Sequence, residues 1–152
     1  MKSNGFTLIE LVVVIAIIVI LYSIIMFSMS KYVSLGEDSS IYGSLATLIP
    51  AGEAWYNGVG NNSYNGFCAM SNSALANVIS QMPKNSGPCA TNVAGVCCYA
   101  SFDGNSWVAF AQEFVTPSYI YCVDSRGMEE SVLASSSPSS LCQSGSGVCK
   151  CP

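Results

Sequence analysis

The chain has 152 residues, a hydrophobic fraction of 51%, only 9% charged residues and a net charge of −4. This length allows one helix-anchored domain of modest size, and the weak acidic balance excludes the basic surface that nucleic-acid binding requires. The sequence has no histidine and none of the short nucleophile or phosphate-binding motifs of enzymes. The composition therefore predicts a protein that is not an enzyme and needs no cofactor.

An apolar run dominates the beginning of the chain. From Phe6 to Phe27 there are 22 residues, and Glu10 is the only charged one. A helix of this length spans roughly 33 Å, which is enough to cross the hydrocarbon core of a bilayer, about 30 Å thick. The run predicts a membrane-spanning helix. Glu10 either benefits only from the dipole at the helix N-terminus or, as is usual for an ionisable residue in a membrane helix, has a function.

An ordinary secretory signal is the main alternative for this region. Such a signal has a shorter apolar core and ends at a cleavage site of the small-x-small type, which Ser28-Met29-Ser30 matches weakly. The length of the apolar run and the carboxylate of Glu10 both disfavour this alternative.

The order Gly5-Phe6-Thr7-Leu8-Ile9-Glu10-Leu11, followed by unbroken aliphatic residues, resembles the N-terminus of type IV pilins and type II secretion pseudopilins. The resemblance implies that a prepilin peptidase cleaves between Gly5 and Phe6 and that Phe6 is then N-methylated. It also implies that Glu10, fifth in the mature chain, pairs with the N-terminal amine of a neighbouring subunit. Such pairing would avoid a stranded charge in an apolar filament core, so Glu10 is expected to be an assembly determinant.

Beyond Phe27 the pattern changes from apolar to amphipathic. Apolar residues recur at near-helical spacing as far as Trp55, and we therefore expect one long helix from about Phe6 to Trp55. Pro50 should kink or break it, because proline removes a helical hydrogen bond and clashes with the carbonyl of Ala46. The expected divisions are a leader at 1–5, a transmembrane or filament-core half of the stem helix at 6–27, an amphipathic half at 28–57, and a Cys-rich head with a Ser-rich tail at 58–152.

The rest of the chain predicts a loop, a short helix and strands. The Gly- and Asn-rich residues 58–66 form the loop, and their Asn61-Asn62-Ser63 matches a glycosylation sequon, a pattern short enough to occur by chance. A helix is expected between Ser71 and Met82. Three strand-like runs follow, and Asp103-Gly104 between the first two is a typical hairpin turn. The runs are Val96–Phe102, Ser106–Phe114 and Tyr119–Asp124.

These elements predict an α+β fold in which the long N-terminal helix packs on a small antiparallel sheet of about three strands. The resemblance implies the same arrangement, a pilin-like head on a helical stem, and here the head would be stapled by disulfides. Ser125-Arg126-Gly127 is expected to turn the chain after the third strand. The pair Glu129-Glu130 and nearby Asp124 are interpreted as a solvated edge in preference to a calcium site.

Eight cysteines in a chain that extends beyond a membrane segment predict disulfides. They can pair in 105 ways, so the sequence does not fix the pairing. We expect Cys122 to join Cys97 or Cys98, and Cys142 to join Cys149 or Cys151. No metal site is expected, because neither Cys97-Cys98 nor Cys149-x-Cys151 has the spacing of structural zinc ligands. The eight are Cys68, Cys89, Cys97, Cys98, Cys122, Cys142, Cys149 and Cys151.

Taken with the resemblance, the sequence predicts a structural subunit of a type IV pilus or a type II secretion pseudopilus. It would lie in the cytoplasmic membrane as a single-pass protein before assembly and in an extracytoplasmic or cell-surface filament afterwards. Its partners would be copies of itself or other pilins, the prepilin peptidase and the assembly machinery, with no nucleic acid. The alternative is a membrane-anchored or secreted disulfide-rich binding domain that does not polymerise.

Overall fold

The computed structural model describes residues 5–69, 73–83, 95–134, 141–142 and 148–152. The chain divides into two compact units, Met1–Ser34 and Leu35–Pro152, which are described separately. Cys89 and most of the Ser-rich tail lie outside the described residues. The helices are α1 (Leu8–Ala46), α2 (Leu48–Asn57) and α3 (Ser73–Gln81), and the strands are β1 (Val96–Ala100), β2 (Trp107–Gln112), β3 (Tyr119–Asp124) and β4 (Glu129–Leu133).

The first unit consists of the first part of α1. Every side chain described between Phe6 and Val33 is exposed, although nearly all of them up to Met26 are apolar. By length and composition this helix can cross a membrane. A helix that is apolar on all sides is normally buried in lipid or among other helices, so its surface must be covered by something outside this chain.

The second unit begins with the end of α1, which is interrupted before α2. Pro50 lies in the first turn of α2, where its missing N–H is tolerated. Thr47 between the helices keeps helical backbone angles (φ −66°, ψ −17°), so the chain continues in helical conformation past the interruption. The long helix expected from about Phe6 to Trp55 is confirmed as Leu8–Asn57, and its interruption lies at Thr47, three residues before Pro50, where a kink or break was expected.

The sheet is antiparallel throughout, in the order β1-β2-β3-β4. The three predicted strands and the hairpin turn at Asp103-Gly104 are confirmed, and α3 matches the predicted short helix over its described residues. The sheet of about three strands has a fourth, β4, at its edge. β4 begins with two glutamates and leaves alternate residues exposed, so its apolar pattern is weak; charges on an edge strand also discourage pairing with another chain.

One face of the sheet packs against the helices. Trp107, Ala109 and Ala111 point to this face from alternate positions of β2, as the two-residue period of a strand requires. The helices contribute a stripe of fully buried side chains with helical spacing. These are Ile41, Leu45 and Leu48.

The opposite face of the sheet is covered by the end of the chain. Val108 and Phe110 of β2 point to this side, where they meet Leu141, Cys149 and Cys151. β2 is thus buried on both faces, which explains why its sequence is apolar without alternation. The C-terminal segment is a layer of the fold.

Three disulfides connect described residues: Cys68–Cys98, Cys122–Cys151 and Cys142–Cys149. Cys97 is also disulfide-bonded. The expected bond between Cys142 and Cys149 or Cys151 is confirmed as Cys142–Cys149, but the bond expected between Cys122 and Cys97 or Cys98 is wrong. Cys97 and Cys122 both pair with Phe110, one from each side, so they are two strands or about 10 Å apart, beyond the reach of a disulfide.

Candidate assembly site

The segment before α1 contains the expected cleavage position. Gly5 and Phe6 precede the helix and are not in regular secondary structure. The Phe6 side chain is 79% exposed, and no described atom beyond the chain neighbours would lie within 4 Å of a Cβ at Gly5. Within the described part of the chain, neither residue is enclosed by other residues.

Thr7 and Glu10 form reciprocal hydrogen bonds at the beginning of α1. The N–H of Thr7 donates to Glu10 Oε2 (2.8 Å), and the Thr7 hydroxyl donates to the same oxygen (2.7 Å). The N–H of Glu10 in turn donates to Thr7 Oγ1 (3.3 Å). This pattern is a capping box, in which two side chains satisfy N–H groups that the first turn of a helix leaves without partners.

The capping box occupies only one of the two oxygens of the Glu10 carboxylate. The N–H and the hydroxyl of Thr7 both donate to Oε2, and Oε1 accepts no hydrogen bond from the residues that the structure describes. A carboxylate has two oxygens with about four acceptor positions. One oxygen of Glu10 is therefore without a partner among the described residues.

The role of Thr7 was not predicted, although the sequence contains the pattern for it. Thr7-Leu8-Ile9-Glu10 has the Ser/Thr-x-x-Glu spacing of a capping box directly before an apolar run. The resemblance drew attention to Glu10 alone, whereas the structure brings both side chains together.

In the head, Asp38 links α1 to the loop after β2. It is 4% exposed, and its two oxygens accept the N–H groups of Phe114 (2.6 Å) and Val115 (3.1 Å). Burial of a carboxylate is costly unless hydrogen bonds compensate, and here two backbone donors do so. This link depends on residues 76 and 77 positions apart, so no local pattern could predict it.

Two tyrosines of the head donate to carboxylates. The Tyr64 hydroxyl bonds Glu53 Oε1 (2.9 Å), and the Tyr121 hydroxyl bonds Glu129 Oε2 (3.1 Å). Burial, together with hydrogen bonds to these carboxylates, raises the pKa of Tyr64 to about 12 and the pKa of Tyr121 to about 12. Both phenols therefore remain neutral donors over the physiological pH range.

Asp124 is buried completely, so its interpretation as part of a solvated edge is wrong. It forms an ion pair with Arg126 and accepts the N–H of Cys151 on Oδ2 (3.0 Å). Arg126 Nη2 also donates to the carbonyl of Cys151 (3.1 Å). Asp124 and Arg126 thus hold the C-terminal segment beside the Cys122–Cys151 disulfide, a connection that the sequence alone could not reveal.

No group of three or more cysteine, aspartate or glutamate side chains in the described ranges could hold a metal ion. The acidic residues named above instead accept hydrogen bonds from backbone N–H, tyrosine hydroxyl or guanidinium groups. The chemistry of these sites is structural.

The model of the prokaryotic N-terminal methylation motif matches residues 1–26. No curated protein and no solved structure matches the chain significantly. The matched residues include the capping box and most of the exposed apolar part of α1. The head lies outside the match.

Proposed function

We propose that this chain, which carries the signature of type IV pilins and pseudopilins, is a structural subunit of a filament. The filament is a type IV pilus or a type II secretion pseudopilus. The motif itself points to a structural subunit and not to an enzyme. The observation that carries the proposal is the exposed apolar helix with Gly5, Phe6 and Glu10 at its head. Such a surface requires either lipid or other helices around it.

In the proposed first step, prepilin peptidase cleaves between Gly5 and Phe6, and Phe6 is then N-methylated. The position of this bond before α1 supports the step. Cleavage creates an α-amino group whose ordinary pKa is about 7.7–8.0, so it is largely cationic at neutral pH. Thr7 and Glu10 both remain in the mature chain, so the capping box is retained.

In the proposed second step, α1 leaves the membrane and packs among the helices of other subunits. Glu10 Oε1, to which Thr7 does not donate, accepts a hydrogen bond from the Phe6 amine of a neighbouring chain. An unpaired charge in an apolar filament core is costly, so the pair fixes the position of neighbouring helices even where it adds little net stability. Repetition of a contact between unlike surfaces gives an open helical filament when its rotation does not close a ring.

Before assembly, the chain is a single-pass protein of the cytoplasmic membrane. The apolar run from Phe6 to Phe27 matches the hydrocarbon thickness. Lys31 and Tyr32 follow it and are exposed; these residue types favour the membrane–water interface. The Cys-rich head then lies on the oxidising side, where disulfides persist.

The test is the intact mass and N-terminal sequence of the protein purified from its native cells. We expect a chain that begins at Phe6 and is heavier by one methyl group than the unmodified sequence from that residue. The same cells without their prepilin peptidase are the control and should yield the chain with Met1 or Lys2 at its terminus. If the protein from normal cells begins at Met1, or near Lys31, the proposal is wrong, and the alternative of a membrane-anchored or secreted domain replaces it.

A further inference from the structure

Phe102 is fully exposed, more than any other large apolar side chain that the structure describes in the head. It stands on the turn between β1 and β2, which backbone hydrogen bonds hold: Ser101 N–H donates to Ser106 O (2.8 Å) and Gly104 N–H donates to Ser101 O (3.0 Å). The ring belongs to neither hydrophobic core cluster. The Phe102 ring therefore does not contribute to the packing of either core cluster.

The loop after α2 lies directly beside this turn. Tyr64 N–H donates to Gly104 O (2.8 Å), and Ser63 and Asn65 lie so close to Gly104 that a Cβ there would overlap the Ser63 hydroxyl. Gly104 has a left-handed conformation (φ +72°), which a glycine adopts without strain. Two segments about 40 positions apart in the sequence thus form one surface.

This surface carries exposed asparagine side chains on a backbone that hydrogen bonds hold in place. Asn61 and Asn62 are exposed in left-handed conformations (φ +50° and +62°). Their N–H groups donate to the carbonyls of Gly58 (3.3 Å) and Tyr56 (2.9 Å). Within the described part of the chain, neither asparagine side chain has a hydrogen-bond partner. Asn65 is exposed beside them.

The hairpin turn adds a carboxylate and a further carboxamide. Asn105 Nδ2 donates to Asp103 Oδ2 (2.8 Å), which orients both side chains. Hydrogen bonds from Ser101 and Asn105 hold the pKa of Asp103 below its usual range. The carboxylate is therefore ionised and can only accept hydrogen bonds, whereas each carboxamide can both donate and accept.

We infer that these groups form a binding site for a neutral carbohydrate, which we call the hairpin patch and which consists of Asn61, Asn62, Asn65, Phe102, Asp103 and Asn105. A sugar ring has an apolar face of C–H groups, which can stack on the exposed ring of Phe102. Its hydroxyls both donate and accept, so they can bond to the carboxamides of the same two segments and donate to the carboxylate of Asp103.

Charge favours a neutral sugar over an anionic one. Residues 35–152 contain eight acidic and three basic residues, so an anionic sugar would be repelled. The inference does not require polymerisation; if the proposed function holds, repeated copies along a filament would increase the avidity.

The test is NMR titration of the full chain in a phosphocholine detergent, because a sugar-based detergent would compete. The probes are chitotetraose, cellotetraose and lacto-N-tetraose. We expect at least one of them to shift the backbone amides of residues 61–65 and 102–105, with a Kd on the order of 1 mM.

Variants of Phe102 distinguish stacking from general apolar contact. Phe102→Ala and Phe102→Leu should each weaken binding about tenfold, whereas Phe102→Tyr should stay within about threefold. Val59→Ala changes an exposed apolar residue of the loop after α2 that lies outside the patch, and binding should not change.

Three results would overturn the inference. The first is no shift of the amides with any probe at roughly 10 mM, and the second is equal binding by the leucine and tyrosine variants. The third is loss of self-association in Phe102→Ala without any sugar binding, which would make the patch a contact between subunits. Because the titration uses unassembled protein, a failure of filament assembly does not affect its outcome.

Discussion

At the residue scale, one oxygen of Glu10 caps α1, and the other has no partner among the described residues. We expect Glu10→Val to preserve membrane insertion, because it removes a charge that is costly in the bilayer, and to prevent incorporation into filaments. The measurement is the fraction of the variant in sheared filaments compared with the fraction in membranes, by immunoblot.

Glu10→Gln is the matched variant, because its side-chain carbonyl can still accept from Thr7 while the charge is lost. It should also fail to incorporate. Normal incorporation of the glutamine variant would show that the cap and not the charge is needed, and normal incorporation of both variants would remove Glu10 from the assembly mechanism.

Asp38 is the residue whose loss should damage the head most directly. Asp38→Ala leaves the N–H groups of Phe114 and Val115 without their acceptor, and a hydrogen bond to a charged group contributes about 1.5–3 kcal/mol. We expect the free energy of unfolding to fall by about 2–4 kcal/mol, as measured by denaturant titration of the full chain in detergent.

Glu37→Ala is the control for Asp38, because it removes a neighbouring carboxylate for which no hydrogen bond is found in the described chain. Its effect should stay within about 0.5 kcal/mol. Equal stability of the two variants would mean that the bonds from Asp38 contribute nothing net.

At the scale of elements, α2 approaches β2 closely at one glycine. A Cβ at Gly52 would lie 2.7 Å from Nε1 of the buried Trp107, so Gly52→Ala must displace the indole or the helix. Overpacking of a core commonly costs about 1–3 kcal/mol, and we expect a loss of unfolding free energy in that range.

Gly43→Ala makes the same chemical change in α1, where no described atom would lie within 4 Å of the new Cβ. Removing a glycine from a helix interior should stabilise by up to about 1 kcal/mol. The two variants should therefore shift thermal unfolding in opposite directions. A shift in the same direction would contradict the close approach of α2 to Trp107.

Elements that depend on local signals could be predicted, and those that depend on distant partners could not. Asp103-Gly104 fixed the first hairpin because glycine permits the left-handed turn, and Pro50 located the helix interruption because it lacks an N–H. β4 was not predicted, since its pairing with β3 rather than its own apolar content makes it a strand.

At the scale of the whole molecule, the Cys122–Cys151 disulfide joins the end of the chain to the sheet. Replacing both cysteines by serine opens a loop with a sequence separation of 29 and should cost about 3–4 kcal/mol in the chain-entropy account. The measurements are the free energy of unfolding and the rate at which a protease cleaves the chain beyond Cys142.

The matched double variant removes Cys142–Cys149, whose sequence separation is 7, and should cost about 1 kcal/mol less. The opposite order of stability would show that the contacts of Asp124 and Arg126, and not the disulfide, hold the C-terminal segment.

The sequence by itself determined the membrane-length helix, the motif at residues 1–26, the α+β class and the three principal strands. Each of these depends on neighbouring residues: an unbroken apolar run, a fixed order of seven residues, or turn residues between apolar stretches. Tertiary structure alone decided that Cys122 pairs with Cys151, that Asp124 is buried, and that the hairpin patch is assembled from two segments. The physical reason is that strand register and the C-terminal layer bring together residues far apart in the chain, and no local pattern specifies those distances.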